Sequence, residues 1–143
     1  MLALKKFVSL ALVATSLSTL TVACGESKVA QCNKFSEIAN KGQAIFSGKS
    51  APKNPSDLSQ IADQVDKLKS ELDGIKFGDE KLQSFQKQYS ELMSSLVTDM
   101  RGLVKAVESK NAAELQKIAK NMQEIGPKGV AIDTDFKKYC TSN

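Results

Sequence analysis

Ser84 and Lys87 stand one helical turn apart, the Ser-x-x-Lys spacing in which an amine lies beside a nucleophilic hydroxyl. The Ser-Asp-Asn and Lys-Thr-Gly elements that accompany this pair in working active sites are missing, and the chain is too short for the fold that carries them, so a solvated helix face is the better account. Asp133, Thr134 and Asp135 offer oxygens of the kind calcium accepts, yet the glycine, the spaced acids and the closing glutamate of a calcium loop are missing. Capping of a final turn near Phe136 is the expectation for them. Met93, Met100 and Met122 are flexible and polarisable enough to line a pocket for a small apolar ligand between helices, but methionine is also a common gap-filler, and an ordinary core role is favoured. The chain contains no histidine, which removes the commonest general base and the commonest zinc ligand. These residues predict a non-enzymatic protein with no catalytic residue, no metal site and no cofactor.

The opening of the chain reads as an address. Lys5 and Lys6 are followed by an uncharged stretch from Phe7 to Ala23 rich in Leu, Val and Ala, the layout of a secretory signal peptide over residues 1–23. A retained membrane-spanning helix wants about 20 predominantly apolar residues, and the Ser and Thr residues scattered through this stretch make it a poor span. At the junction, Leu20-Thr21-Val22-Ala23-Cys24-Gly25 resembles the lipobox of bacterial lipoproteins, with Thr21 standing where Leu is usual. The resemblance implies that Cys24 becomes the acylated N-terminus, a membrane anchor in which each buried methylene contributes about 0.8 kcal/mol. Ala23 also suits the small-residue rule of ordinary signal peptidase, so export does not depend on the lipid. The segment from Cys24 to Gln43 is similar to the start of small cyanobacterial lipoproteins, a likeness that implies no catalytic positions.

Three cysteines are present, and lipid on Cys24 would leave Cys32 and Cys140 as a pair for an oxidising compartment. They lack the Cys-x-x-Cys spacing of redox catalysts, which favours a structural bridge. Formal charge is +4, and it falls to +2 once Lys5 and Lys6 are removed with the leader. Arg101 is the single arginine, so planar forks for phosphates or guanines are almost lacking and nucleic-acid binding is disfavoured. Lys67, Lys69, Lys117 and Lys120 lie among acids on outward faces and read as solvated surface.

Residues 24–143 form one domain, large enough to bury an ordinary apolar core. Four helical segments follow from apolar spacing. The first runs over about 29–46, and Gly48, Pro52, Asn54 and Pro55 break it. In the second, Leu58, Ile61, Val65, Leu68, Leu72 and Ile75 alternate spacings of three and four; Asn54 or Ser56 caps it, and Gly74 is expected to end it in a left-handed conformation. Asp79 caps the third, where Leu82, Phe85, Tyr89, Leu92 and Leu96 form a seam that resumes one step late at Met100 and runs to about Glu108. Asn111 to Glu114 reads as a capping box for the fourth, with Leu115, Ile118, Met122 and Ile125 on its seam. Gly126-Pro127 is expected to interrupt it, leaving Val130, Ile132, Phe136 and Tyr139 as a short apolar extension.

Short connections make successive helices antiparallel, so four of them return the chain to the pole where it began. Cys32 and Cys140 would then be neighbours, whereas an odd number of full-length helices would separate them beyond disulfide reach. The fold class predicted is all-α, an antiparallel up-and-down four-helix bundle with a short C-terminal extension. The function expected is that of an exported, non-enzymatic lipoprotein facing the periplasm or cell exterior, held to the membrane through Cys24 and serving as an interaction or structural module of the cell envelope, with an envelope protein as partner. The alternative is an extracytoplasmic binder of a small apolar ligand.

Overall fold

The computed structural model describes residues 26–47 and 52–142. The leader and Cys24 lie outside the described residues. Four helices fill most of the rest: α1 (Lys28–Ser47), α2 (Pro55–Gly74), α3 (Glu80–Glu108) and α4 (Ala112–Thr141), with no strand among the described residues. At 1.5 Å per residue, α1 and α2 are about 30 Å long and α3 and α4 close to 45 Å.

Three of the starts are built by the expected side chains. Asn54 Oδ1 accepts from the Asp57 amide at 2.9 Å, with Pro55 in the first turn where no amide partner is needed. Asp79 Oδ1 accepts from the Leu82 amide at 2.9 Å. Asn111 Oδ1 accepts from the Glu114 amide at 3.1 Å, but the capping box is only half formed. The Asn111 amide donates to Ala106 O at 2.9 Å instead, and Glu114 pairs with Lys117.

Two expectations about helix ends are corrected. No glycine among the described residues has positive φ, so α2 does not end in a left-handed glycine. Ile75 instead turns to extended backbone at φ −78° and ψ 128°, and its amide bonds Leu72 O at 3.1 Å. Gln86 Nε2 donates to the carbonyls of Leu72 (2.6 Å) and Ile75 (2.8 Å), which satisfies the terminal acceptors that a left-handed cap would otherwise have served. The second correction concerns α4, which continues through Pro127 to Thr141. Residues 128–141, expected as a separate extension, are its last turns. A proline in a helix loses one amide bond and crowds the residue before it. Here that residue is Gly126, which has no Cβ to meet the ring, and the continuation is held by Ile132, Phe136 and Tyr139 packing into the core.

α3 is the central element, packed along α2 on one side and α4 on the other, and α1 lies mainly along α2. Cross-helix pairs fix the antiparallel register. Lys41 of α1 meets Glu71 of α2 at 3.2 Å, Arg101 of α3 meets Asp63 and Asp66 of α2 at 3.0 and 3.1 Å, and Asn121 of α4 meets Asp99 of α3 at 3.3 Å. Where α1 starts and α4 ends, Cys32 and Cys140 are bonded, with Cα atoms 5.9 Å apart. The even count of helices places them at one pole.

Beside that bond the core is aromatic. Phe35, 1 % exposed, has ring centroids of Phe136, Tyr89 and Phe77 at 4.5, 5.1 and 5.8 Å, and Phe85 meets Phe136 edge-on at 5.7 Å. Phe77 comes from the extended linker between α2 and α3. Buried Gln31 holds that linker in place: its Oε1 accepts from the amides of Gly78 (2.8 Å) and Asp79 (3.1 Å), and its Nε2 donates to Glu26 O at 2.6 Å. A buried amide held by three hydrogen bonds adds directional restraint that an apolar side chain cannot.

Candidate functional site

Among the concavities along α3, two differ sharply in chemistry. The first, about 170 Å³, sits under the C-terminal half of α1, where Gly42 and Phe46 face Val65 and Leu68 of α2 and Tyr89, Met93 and Leu96 of α3. Its walls are almost wholly apolar because each helix turns its seam toward it. Gly42 lets α1 approach: a Cβ there would sit 3.4 Å from Leu68 Cδ2. Tyr89 is about half buried, and burial, with the Asp133 charge as a lesser cause, pushes its hydroxyl up to about 12.

The second is a cleft of about 510 Å³ between α3 and α4, floored by Leu92, Ile125 and Ile132 and rimmed by Glu91, Glu124 and Lys128. Gly102 and Gly129 are points of close approach between the two helices. A Cβ at Gly102 would lie 3.1 Å from Ile118 Cδ1, and one at Gly129 would lie 3.3 Å from Leu92 Cδ2, so the helices touch at both points. Ser95 and Asp99 of α3 and Asn121 of α4 line the cleft beside its apolar floor. Asp99 lies there, 8 % exposed, with Asn121 Nδ2 donating to its carboxylate at 3.3 Å.

Of the methionines picked out by type, Met93 lines the apolar cavity, whereas Met100 is buried in the core and Met122 packs against it. The three do not gather at one site. Ser84 and Lys87 are both exposed on α3; Ser84 Oγ accepts from Gln88 and Lys87 pairs loosely with Glu91 at 3.9 Å. Asp133 and Thr134 cap nothing, since they fall inside α4, where Asp133 pairs with Lys137 at 2.6 Å and Thr134 donates to Val130 O. Of the outward lysines, Lys69 pairs with Asp73 and Lys117 with Glu114, while Lys67 and Lys120 are exposed.

Asp99 is the residue that sequence reasoning passed over, although a signal was present. Stepping by three and four from Leu82 through Phe85, Tyr89, Leu92 and Leu96 lands next on 99, and an acid on an apolar seam is unusual. Reading the seam as shifting to Met100 hid it; both residues are in fact buried. No protein-family model matches the chain, and neither a curated protein nor a solved structure matches it.

Proposed function

We propose that the chain is an exported, lipid-anchored bundle that acts without catalysis, as an interaction module of the cell envelope. The observation that carries this reading is the Cys32–Cys140 disulfide. Such bonds persist in oxidising compartments, and this one fastens the segment that follows Cys24 to the far end of the chain. Only a short stretch separates Cys24 from the start of α1 at Lys28, so a membrane tether on Cys24 would pull at the disulfide pole. The opposite pole, with the start of α2 and the α3–α4 turn, would then face outward. No helix among the described residues is long and apolar enough to cross a membrane. Incorporation of radiolabelled palmitate tests the anchor. Label in wild type that is lost in Cys24→Ala supports it, and equal label in both rejects it.

A second reading is favoured by the apolar cavity under α1: extracytoplasmic binding of a small apolar ligand against Met93 and Leu96. Native mass spectrometry of protein purified from its own host distinguishes it, because a carrier shows a stoichiometric added mass.

A further inference from the structure

We infer that the α3–α4 cleft binds a small organic cation, an amine or guanidinium on a short apolar body, with Asp99 as its counter-charge. This site is separate from the apolar cavity and does not depend on the membrane tether.

A carboxylate of low exposure that lines a cleft and has only a neutral donor beside it is well placed to form a charge-assisted hydrogen bond with a cation entering that cleft. Asp99 is more than nine-tenths buried, and its one hydrogen bond comes from a neutral amide at the long distance of 3.3 Å. Among the described residues no Lys or Arg lies within 4.0 Å of it. Lys128, the one cation on the rim, pairs with Glu124 at 3.6 Å.

The cleft supplies room for such a cation. Its volume of about 510 Å³ falls within the range of roughly 300–1,000 Å³ typical of small-molecule sites. At the rim Glu91 and Glu124 are paired with Lys87 (3.9 Å) and Lys128 (3.6 Å), which leaves Asp99 as the carboxylate of the cleft with no cation within 4.0 Å among the described residues. Leu92, Ile125 and Ile132 along the floor fit a hydrocarbon or aromatic body rather than a hydrated ion. Among the described residues no group of three or more Asp, Glu, Cys or His is placed to hold a metal ion, so the donor set suits hydrogen bonding to N–H groups instead. A competing account is that Asp99 and Asn121 serve only to hold α3 and α4 in register, a role polar seam residues are known to take.

Phenethylammonium chloride is the probe, with 2-phenylethanol as its neutral counterpart. Each is titrated calorimetrically into the full chain with its disulfide intact, and binding is mapped by amide chemical shifts. The expected result is saturable one-to-one binding of the amine, with shifts centred on Glu91, Ser95 and Asp99 of α3 and on residues 121–132 of α4. About tenfold or greater loss is expected in Asp99→Asn and with the alcohol, as for removal of a charge-assisted hydrogen bond. Asp99→Asn is nearly isosteric and keeps an acceptor for Asn121; Glu91→Gln, on the exposed rim, gives a second variant and a smaller loss. No saturable binding to wild type at 10 mM amine (on the order of the weakest useful affinity) overturns the proposal and assigns Asp99 to helix register. Equal affinity in Asp99→Asn, or shifts confined to the cavity under α1, overturns it as well.

Discussion

Tyr139 donates its hydroxyl to Asp79 Oδ2 at 2.6 Å, so the residue that caps the start of α3 is also held by the last turns of α4. The Lys28 ammonium lies 4.3 Å from the centroid of the same Tyr139 ring, which brings α1 into the arrangement. Three helix ends meet there, beside the disulfide.

The stability contributed by this contact should form a plateau in pH. The Tyr139 hydrogen bond is the largest cause holding the Asp79 carboxyl below its ordinary value of 3.8, opposed by burial and assisted by the Leu82 and Lys81 amides. A depressed acid stabilises the fold above its unfolded pKa, and the gain is lost as pH falls through the lower folded value. In the other direction, the bond to Asp79 raises the Tyr139 hydroxyl above 10.0, so its contribution is complete below that pH and lost as pH rises through the folded value. Tyr139→Phe should therefore be less stable than wild type between about pH 5 and 9. The gap should close toward strong acid. Urea unfolding at a series of pH values measures it, and a gap independent of pH would mean that the hydroxyl's partner is not a titrating carboxylate.

Removing the disulfide should be the most damaging single covalent change. The bond closes a loop with a sequence separation of 108, for which chain entropy gives roughly 4 to 5 kcal/mol. Cys32→Ser with Cys140→Ser should lose most of that in denaturant unfolding at neutral pH. In wild type, alkylation before reduction should leave both cysteines unlabelled, and alkylation after reduction should modify both.

Gly74→Ala should stabilise the protein, by about 0.5–1 kcal/mol. The sign follows from the way α2 ends. A left-handed glycine would penalise any Cβ, but Gly74 has helical backbone, and a Cβ built on it finds nothing within 4 Å. Differential scanning calorimetry of the pair decides the matter, since a lower midpoint for the alanine variant would restore the left-handed cap.

Much of the fold was legible because it is written locally. The alternation of three and four in Leu58, Ile61, Val65, Leu68 and Leu72 places one face toward α3, and four of these five are buried with Leu58 partly so. Asn54, Asp79 and Asn111 cap because short acceptors before an apolar run have little else to do. Cysteine parity and helix count constrained each other and led to the right bond. What escaped was non-local. Gln86 closes the end of α2 from a residue on the next helix, and nothing near Gly74 announces it. The cleft is lined by residues of α3 and α4 that lie more than twenty positions apart in sequence, and its carboxylate was hidden by assuming that a seam shifts rather than carries a charge.

Pro127 offers the sharpest test of how α4 is held. A proline within a helix costs up to about 3 kcal/mol relative to alanine, from the lost amide bond and the clash with the carbonyl one turn back. Pro127 is exposed, so replacing it breaks no core contact, while the unfolded chain gains freedom worth about 0.4–1 kcal/mol against the folded state. The balance favours Pro127→Ala by about 1 to 2 kcal/mol, read as a higher urea midpoint at unchanged slope. A loss of stability would carry a different meaning. Ile132, Phe136 and Tyr139 follow the proline and pack into the core, and Phe136 lies 4.5 Å from the Phe35 ring. If straightening the helix at 127 moved those side chains, Pro127→Ala would weaken the aromatic cluster and the Tyr139–Asp79 bond together. The tyrosine bond supplies the discriminating readout, because its pH-dependent share of stability persists in Pro127→Ala when the helix keeps its course and disappears when it does not.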